Sequence, residues 1–314
     1  MMKKAFIFPG QGSQKVGMVK DLYEAYPVVK HLFEEADDAL GFSLTKLCFN
    51  GPDEDLMMTC NTQPAILTAS TACARVLKQE GWEPDIVAGH SLGEYSALVA
   101  SGALRFADAV CTVRQRGQFM QEAVPLGEGS MAAILGLEDN KIKEICQTVS
   151  NKVGPVQAVN FNCPGQIVIA GAAKAVETAV DKLKAAGAKR AILLHVSAPF
   201  HSTLMEPAAK RLAAVLDTIH IADAEIPVVA NVNGAVETAA EDIKEALVKQ
   251  AASPVLWIDC VHTMVQSGAD IFVEVGPGKV LSGFNRKINK AIQSENVEDI
   301  SSLKKTLEFF QGVR

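Results

Sequence analysis

No stretch of this 314-residue chain holds the ~18 consecutive apolar residues that a membrane-spanning helix needs, so no membrane association is expected. The opening segment, Met1 to Gly10, carries Lys3 and Lys4, but its apolar part is too short for a signal peptide and ends in a turn; the expected location is the cytoplasm. There is no C-x-x-C pair. The seven cysteines (48, 60, 73, 111, 146, 163 and 260) are odd in number and widely spaced, which supports neither a disulfide framework nor a zinc site. Positive charge is not in excess: the net charge is −6 and no basic run is interleaved with aromatics, so a nucleic-acid partner is not expected. A complete dinucleotide fingerprint is also missing. Gly10-Gln11-Gly12 begins one, but Lys15 stands where the third glycine of G-x-G-x-x-G belongs. What is left, with 48% hydrophobic and 21% charged residues, is an ordinary globular chain long enough to bury a substantial core.

Against these absences stands one strong local signal, Gly89-His90-Ser91-Leu92-Gly93. It reads G-x-S-x-G, preceded by the apolar run Ile86-Val87-Ala88 and followed by a helical stretch over 94–100. This is the strand-to-helix turn of a nucleophile elbow. The glycines suit a turn that brings backbone close to backbone or requires positive φ. Ser91 would then stand at the amino end of a helix, where free N–H groups favour developing negative charge.

Strand-like and helix-like segments alternate along most of the chain, which predicts an α/β protein with a largely parallel sheet. Strands are expected over 4–8, 86–88, 226–232 and 271–275, and helices over 64–80 and 106–123. Residues 130–196 break the rhythm. They read strand 131–135, helix 140–150, strand 156–161, strand 166–170, helix 174–186 and strand 191–195, the βαββαβ order of a ferredoxin-like unit. The expected architecture is therefore an α/β-hydrolase-like core, residues 1–124 and 199–314, with an inserted ferredoxin-like subdomain, residues 125–198. A cleft between the two is the default ligand site.

A serine hydroxyl needs a base within hydrogen-bond reach. Of the six histidines, His90 adjoins Ser91 and should diverge from it. His31 and His262 fall in helical stretches among apolar neighbours and read as structural. His195 ends a strand, and His220 sits in the alternating Ile219-His220-Ile221. His201, in the irregular stretch Ser197-Ala198-Pro199-Phe200-His201-Ser202 at the subdomain junction, is the better catalytic candidate. An acid between serine and histidine in chain order is hard to find. Asp139, Glu144, Glu177 and Asp181 read as solvated, and Glu274 follows the histidine, the wrong order for an ordinary α/β-hydrolase. The Gly10-Gln11-Gly12 turn after the first strand can supply half of an oxyanion hole.

Taken in order, several pieces resemble the malonyl-CoA:acyl-carrier-protein transacylase family over essentially the whole chain. They are Phe8-Pro9-Gly10-Gln11-Gly12-Ser13-Gln14, Thr62-Gln63-Pro64-Ala65, the elbow with Glu94-Tyr95, and Arg116-Gly117-Gln118-Phe119-Met120. Beyond them stand Asn162-Cys163-Pro164-Gly165-Gln166, Ala198-Pro199-Phe200-His201, Gln250 ahead of Ser253-Pro254-Val255-Leu256-Trp257, and Glu274-Val275-Gly276-Pro277-Gly278. The resemblance implies that Ser91 is the acylated nucleophile and His201 its general base and acid. It implies that the backbone carbonyl of Gln250 orients the histidine in place of a carboxylate, and that the N–H groups of Gln11 and Leu92 form the oxyanion hole. Arg116 would grip the free carboxylate of the malonyl group, with Gln63, His90, Asn162, Met120 and Phe200 among the substrate-binding residues. A ring at Phe200, beside the acyl group, would leave little room for a methyl branch. Helical periodicity does not choose between Arg114 and Arg116, which fall on opposite flanks of the apolar stripe; the Arg-Gly-x-x-Met match chooses Arg116.

The implied reaction is a ping-pong transfer from malonyl-CoA to the phosphopantetheine thiol of an acyl carrier protein in fatty-acid biosynthesis, by a monomer that needs neither metal nor cofactor. A polyketide carrier is an alternative destination. A serine esterase or thioesterase would share the elbow and the histidine but needs no carboxylate-gripping arginine, and a non-catalytic interaction module would need none of these groups. An acidic carrier calls for a local basic patch, for which Lys189-Arg190 and Arg286-Lys287-Lys290 are candidates.

Overall fold

The run Ala5-Phe6-Ile7-Phe8 shows no polar alternation, which in a strand means that both faces are covered. The computed structural model, which describes residues 2–194 and 196–312, places this run in β1 (Lys3–Phe8), inside the larger of two sheets. The other strands are β2 (Ile86–Gly89), β3 (Gly129–Leu135), β4 (Val156–Cys163), β5 (Gln166–Ala172), β6 (Arg190–Leu193), β7 (Val228–Val229), β8 (Val236–Glu237), β9 (Ala269–Val275) and β10 (Gln293–Val297). The larger sheet runs β10-β9-β1-β2-β7-β8. Its pairs are parallel except that β8 lies antiparallel to β7 at one edge. Side chains divide by parity, as the two-residue period of a strand requires. Phe6, Phe8, Val87 and Val273 enter a core shared with the helices Thr59–Gln79 and Phe106–Glu122. Ala5, Ile7, Ala88 and Phe272 enter a second core with Trp257–Gln266 and Val280–Ile288 on the opposite face.

The smaller sheet runs β4-β5-β3-β6 and is antiparallel throughout. With the helices Asp139–Ser150 and Ala173–Ala185 it completes the βαββαβ unit. A largely parallel α/β sheet and a second antiparallel sheet are the expected fold class. One face of the small sheet, with Ala132, Ile134, Ile167 and Ile169, packs under those two helices. The other face, with Met131, Val168 and Ala170, packs against Met120, Phe200 and Met205. In β4 the register shifts between Ala158 and Asn160. This extra residue inverts the alternation, so Val156 and Ala158 face the helices while Asn160 and Asn162 both turn to the other side.

Three sequence expectations need correction. The strand expected over 226–232 pairs only at Val228–Val229, because Pro227 has no N–H to give and the chain turns away at Asn231. The polar edge strands β8 and β10 carry no apolar signature and were not anticipated. The helix expected over 64–80 begins earlier, at Thr59, with Pro64 inside it. Its first turn packs where Gly117 lets the Phe106–Glu122 helix approach, since a Cβ there would stand 2.7 Å from the Thr59 carbonyl oxygen. His195 lies outside the described residues.

The elbow glycines serve close approach. A Cβ on Gly89 would sit 1.9 Å from the Gly93 carbonyl, and one on Gly93 would sit 2.0 Å from the Phe8 carbonyl oxygen. Positive φ falls instead on Ser91 itself. Gly93→Ala should therefore force β1 and the elbow apart, because every close neighbour is backbone. Overpacking of this kind costs about 1–3 kcal/mol or more, to be read as a lowered Tm together with lost acyl transfer. An unchanged Tm would contradict the close approach.

Candidate active site

Ser91 caps the helix Leu92–Ala100 with φ 52° and ψ −105°, a conformation that an L-residue holds only when its surroundings impose it. The surroundings are visible on both sides. The Ser91 N–H donates to Asn231 Oδ1 at 2.7 Å, and the Ser91 carbonyl accepts from Gln250 Nε2 at 2.9 Å. Asn231 is itself fixed, donating through Nδ2 to the Gly89 carbonyl at 2.7 Å. The Ser91 hydroxyl is thereby aimed into a cavity of about 280 Å³ between the two sheets.

His201 reaches the same point from the loop after the small sheet. It too has positive φ, at 63°, and it is 3% exposed. Its Nε2 lies 2.7 Å from Ser91 Oγ, and its Nδ1 lies 2.9 Å from the backbone oxygen of Gln250. A carbonyl only accepts, so Nδ1 carries the proton and Nε2 is left to accept from the serine hydroxyl. Gln250 ends the helix Ala240–Gln250, where carbonyls lack intrahelical partners and the dipole favours positive charge. Burial, and secondarily the charge of Arg116, push the His201 pKa down to about 3, so the imidazole is neutral and able to take a proton.

Arg116, on the helix Phe106–Glu122, is 1% exposed. Its Nη1 donates to Gln63 Oε1 at 2.9 Å, and its Nη2 to Gln250 Oε1 at 2.8 Å and to Ser91 Oγ at 3.1 Å. Arg114 points elsewhere, donating to Asn61 Oδ1 at 3.0 Å and lying over the Phe42 ring. Gln11, Leu92, Gln63, His90, Asn162, Met120 and Phe200 all line the cavity with Ser91, His201 and Arg116, while Gln250 supports them from behind. Among the described residues, the N–H groups of Gln11 and Leu92 donate to no backbone carbonyl. His90 diverges from the serine, its Nε2 lying 2.8 Å from Asn162 Oδ1. The helical His31 and His262 differ from expectation: they are exposed on solvent faces, as is His220. Glu274 caps the helix Val280–Ile288 through the N–H groups of Leu281 and Ser282, away from the serine. Among the described residues no group of three or more His, Cys, Asp or Glu side chains could hold a metal ion, and no helix is long and apolar enough to cross a membrane.

A family model described as an acyl transferase domain matches residues 5–308. The malonyl CoA-acyl carrier protein transacylase of Bacillus subtilis (strain 168) is 52% identical over 308 residues, spanning 98% of this chain and 97% of that protein. The crystal structure of an acyl carrier protein S-malonyltransferase from Vibrio cholerae superposes with a TM-score of 0.94 at 49% identity, covering 97% of this chain and 99% of the other. A malonyl-transacylase in complex with its type II PKS acyl-carrier protein superposes at 0.95 and 48% identity, covering 98% and 99%. The chain belongs to the malonyl-CoA:acyl-carrier-protein transacylase family. For an acyltransferase of this family the cavity is of suitable size and polarity to hold a short acyl group against a serine.

Three residues of the centre escaped the sequence reading. Asn231 holds the Ser91 N–H but lies in a stretch expected to continue as strand. Asn160 lines the cavity with an Oδ1 that has no hydrogen-bond partner among the described residues, and only the bulge in β4 brings it there. Glu94, next to the elbow motif, is a buried carboxyl 2% exposed; Ser-x-x-Glu at a helix start was the available signal.

Because folding depresses the His201 pKa from 6.5 to about 3, its contribution to stability is present above pH 6.5 and is lost as pH falls towards 3. The Tm advantage of the wild type over His201→Gln should accordingly shrink between pH 7 and pH 4. A constant difference would mean that His201 titrates as an exposed histidine does.

Proposed function

We propose that Ser91 carries the malonyl group between malonyl-CoA and the phosphopantetheine thiol of acyl carrier protein, as the family's acyltransferases do in fatty-acid biosynthesis. The observation that carries this reading is the buried Arg116 guanidinium 3.1 Å from the Ser91 hydroxyl. A cation that close to a nucleophile suits a substrate with a free carboxylate next to the carbonyl under attack, and a planar guanidinium can hold that carboxylate through parallel charge-assisted bonds. An esterase for neutral acyl groups would gain nothing from it.

In the forward half-reaction His201 Nε2 takes the proton as Ser91 Oγ attacks the thioester carbon. The N–H groups of Gln11 and Leu92 stabilise the tetrahedral oxyanion. The carbon–sulfur bond breaks, the imidazolium returns its proton to the CoA sulfur, and a malonyl-serine ester remains. The carrier thiol then attacks that ester, giving up its proton to His201; the bond from the acyl carbon to Ser91 Oγ breaks, and the imidazolium returns the proton to Oγ. The Gln250 carbonyl holds the imidazole in the required tautomer, the task that a carboxylate performs in a Ser-His-Asp triad. Arg116 has a second effect, since its charge lowers the His201 pKa. A malonyl carboxylate that neutralises Arg116 would relieve that effect as the imidazole becomes cationic. Gln63, His90, Asn162, Met120 and Phe200 form the chamber around the acyl group.

The proposal includes a cytoplasmic monomer, with residues 1–124 and 199–314 as the catalytic domain and 125–198 as the subdomain. For the carrier, Arg286 and Lys287 are exposed in the last turn of the helix whose first turn, at Val280 and Leu281, lines the cavity, and Lys290 is exposed just beyond it.

Mixing the protein with malonyl-CoA should produce an intact-mass increase of one malonyl group, abolished in Ser91→Ala; adding carrier protein should move the label to the carrier with little net hydrolysis. Absence of the mass increase in the wild type would defeat the reading, and release of free malonate would favour a thioesterase. Arg116→Ala should cost about 2–5 kcal/mol in malonyl transfer, roughly thirtyfold to several thousandfold, while acetyl transfer holds steady or rises. The quantity to measure is the ratio of kcat/KM for malonyl-CoA to that for acetyl-CoA. An equal loss for both substrates would make Arg116 a structural residue.

A further inference from the structure

We infer that Glu94, as a carboxylate, is a positioning residue that holds the backbone on both sides of Ser91 and fixes the direction of the Gln250 carboxamide, and through it the aim of Arg116. The inference rests on the reading of Ser91 as the acylated residue. Nothing in the mechanism above uses this side chain, yet it is 2% exposed and hydrogen-bonded at the root of the elbow.

Glu94 is the third residue after the helix cap Ser91. In a capping box its side chain would reach back to the cap's own N–H. Here a second residue intervenes. Glu94 Oε2 accepts from the Asn231 N–H at 2.9 Å, and it is Asn231 Oδ1 that accepts from the Ser91 N–H. The same Oε2 accepts from Gln250 Nε2 at 3.1 Å, and that nitrogen also donates to the Ser91 carbonyl. One carboxylate thus reaches the N–H side of the serine through Asn231 and the C=O side through Gln250. The strained φ and ψ of Ser91 are held from both ends.

Charge gives the arrangement its direction. An ionised carboxylate only accepts, so the Gln250 amide must turn its NH₂ towards Glu94, and its oxygen then faces Arg116 Nη2 at 2.8 Å. A protonated Glu94 holds that NH₂ and the Asn231 N–H without charge assistance, so the carboxamide is kept in place by Ser91 and Arg116 alone. Any turn of the carboxamide away from this position would set its oxygen against the Ser91 carbonyl and its NH₂ against the guanidinium, and would release Arg116 from its aim at Ser91 Oγ. The groups around Glu94 divide clearly. Arg116 favours its charge and Glu237 opposes it; the Cys260 thiol and the Tyr95 hydroxyl, both pushed well up by burial, stay neutral. Burial dominates and raises the Glu94 pKa to about 7, whereas His201 titrates near 3 and His90 is also pushed down. Glu94 is then the centre's titrating group near neutrality.

The test is the rate of Ser91 acylation by malonyl-CoA, read by rapid quench and intact mass from pH 6 to pH 8.5. Acylation by the wild type should rise with pH along a single limb centred near 7. Glu94→Gln should be slower by tenfold or more at pH 8, with no limb. Stability separates positioning from simple support. The raised pKa makes the folded state favour the protonated acid, so the contribution of Glu94 to stability is present below its unfolded pKa and is lost as pH rises through 7. The Tm of Glu94→Gln relative to wild type should therefore improve from pH 6 to pH 8.5 while its activity stays low. A flat wild-type profile, which needs no variant to observe, would overturn the inference, and so would a Glu94→Gln protein that acylates at the wild-type rate or keeps the limb. Failure of the wild type to acylate at any pH would instead defeat the reading of Ser91 on which the inference rests.

Discussion

A guanidinium buried to 1% exposure, with no direct carboxylate partner among the described residues, is the constraint around which this centre is organised. Isolated buried charges are strongly disfavoured, so such a group persists only where hydrogen bonds satisfy it and a counter-charge lies within reach. Arg116 receives acceptors from three different segments: Gln63 on the long helix Thr59–Gln79, Gln250 at a helix end, and Ser91 at the elbow. Those are the segments that a transfer reaction must bring together. Anchoring the cation and bringing Gln63, Gln250 and Ser91 together are therefore one packing problem.

The second constraint is backbone strain. Among the described residues only Val19, Ser91 and His201 combine a side chain with positive φ, and two of these three are the hydrogen-bonded serine and histidine of the cavity. Neither conformation would survive in an isolated peptide. Ser91 is held because Gly89 and Gly93 let β1 and the elbow come into backbone contact, and because Asn231 and Gln250 pin its peptide groups. Rigidity of this kind keeps the 2.7 Å contact between Oγ and Nε2 ready before any substrate arrives.

Much of this was legible in the residues. The apolar runs of β1, β2 and β9 betray strands covered on both faces, and the βαββαβ order of the small sheet follows from alternating periods. Ser91 announces itself through its glycines and His201 through its loop. Other features depend on contacts that local patterns do not record. Periodicity left Arg114 and Arg116 equivalent, since the choice is made by Gln63 and Gln250, 53 and 134 residues away. Asn231 was hidden because an apolar stretch reads as strand whether or not a partner is there to pair with it. Asn160 was hidden because a one-residue bulge, invisible in sequence, decides which face of β4 it occupies. His31 and His262 sit among apolar neighbours in sequence, but helical geometry turns them outward.

That bulge has a consequence for how enzymes of this shape diverge. Met131, Val168, Asn160 and Asn162 form one wall of the chamber and stand on the small sheet, which has a core of its own behind it. Met131 and Val168 also share a core with Met120 and Phe200, on the Arg116 helix and beside His201, so a change of volume at either is felt on both of those segments. Asn160, turned into the chamber by the bulge and with its Oδ1 unpartnered among the described residues, is where the room for an acyl chain can change with the least disturbance to the rest.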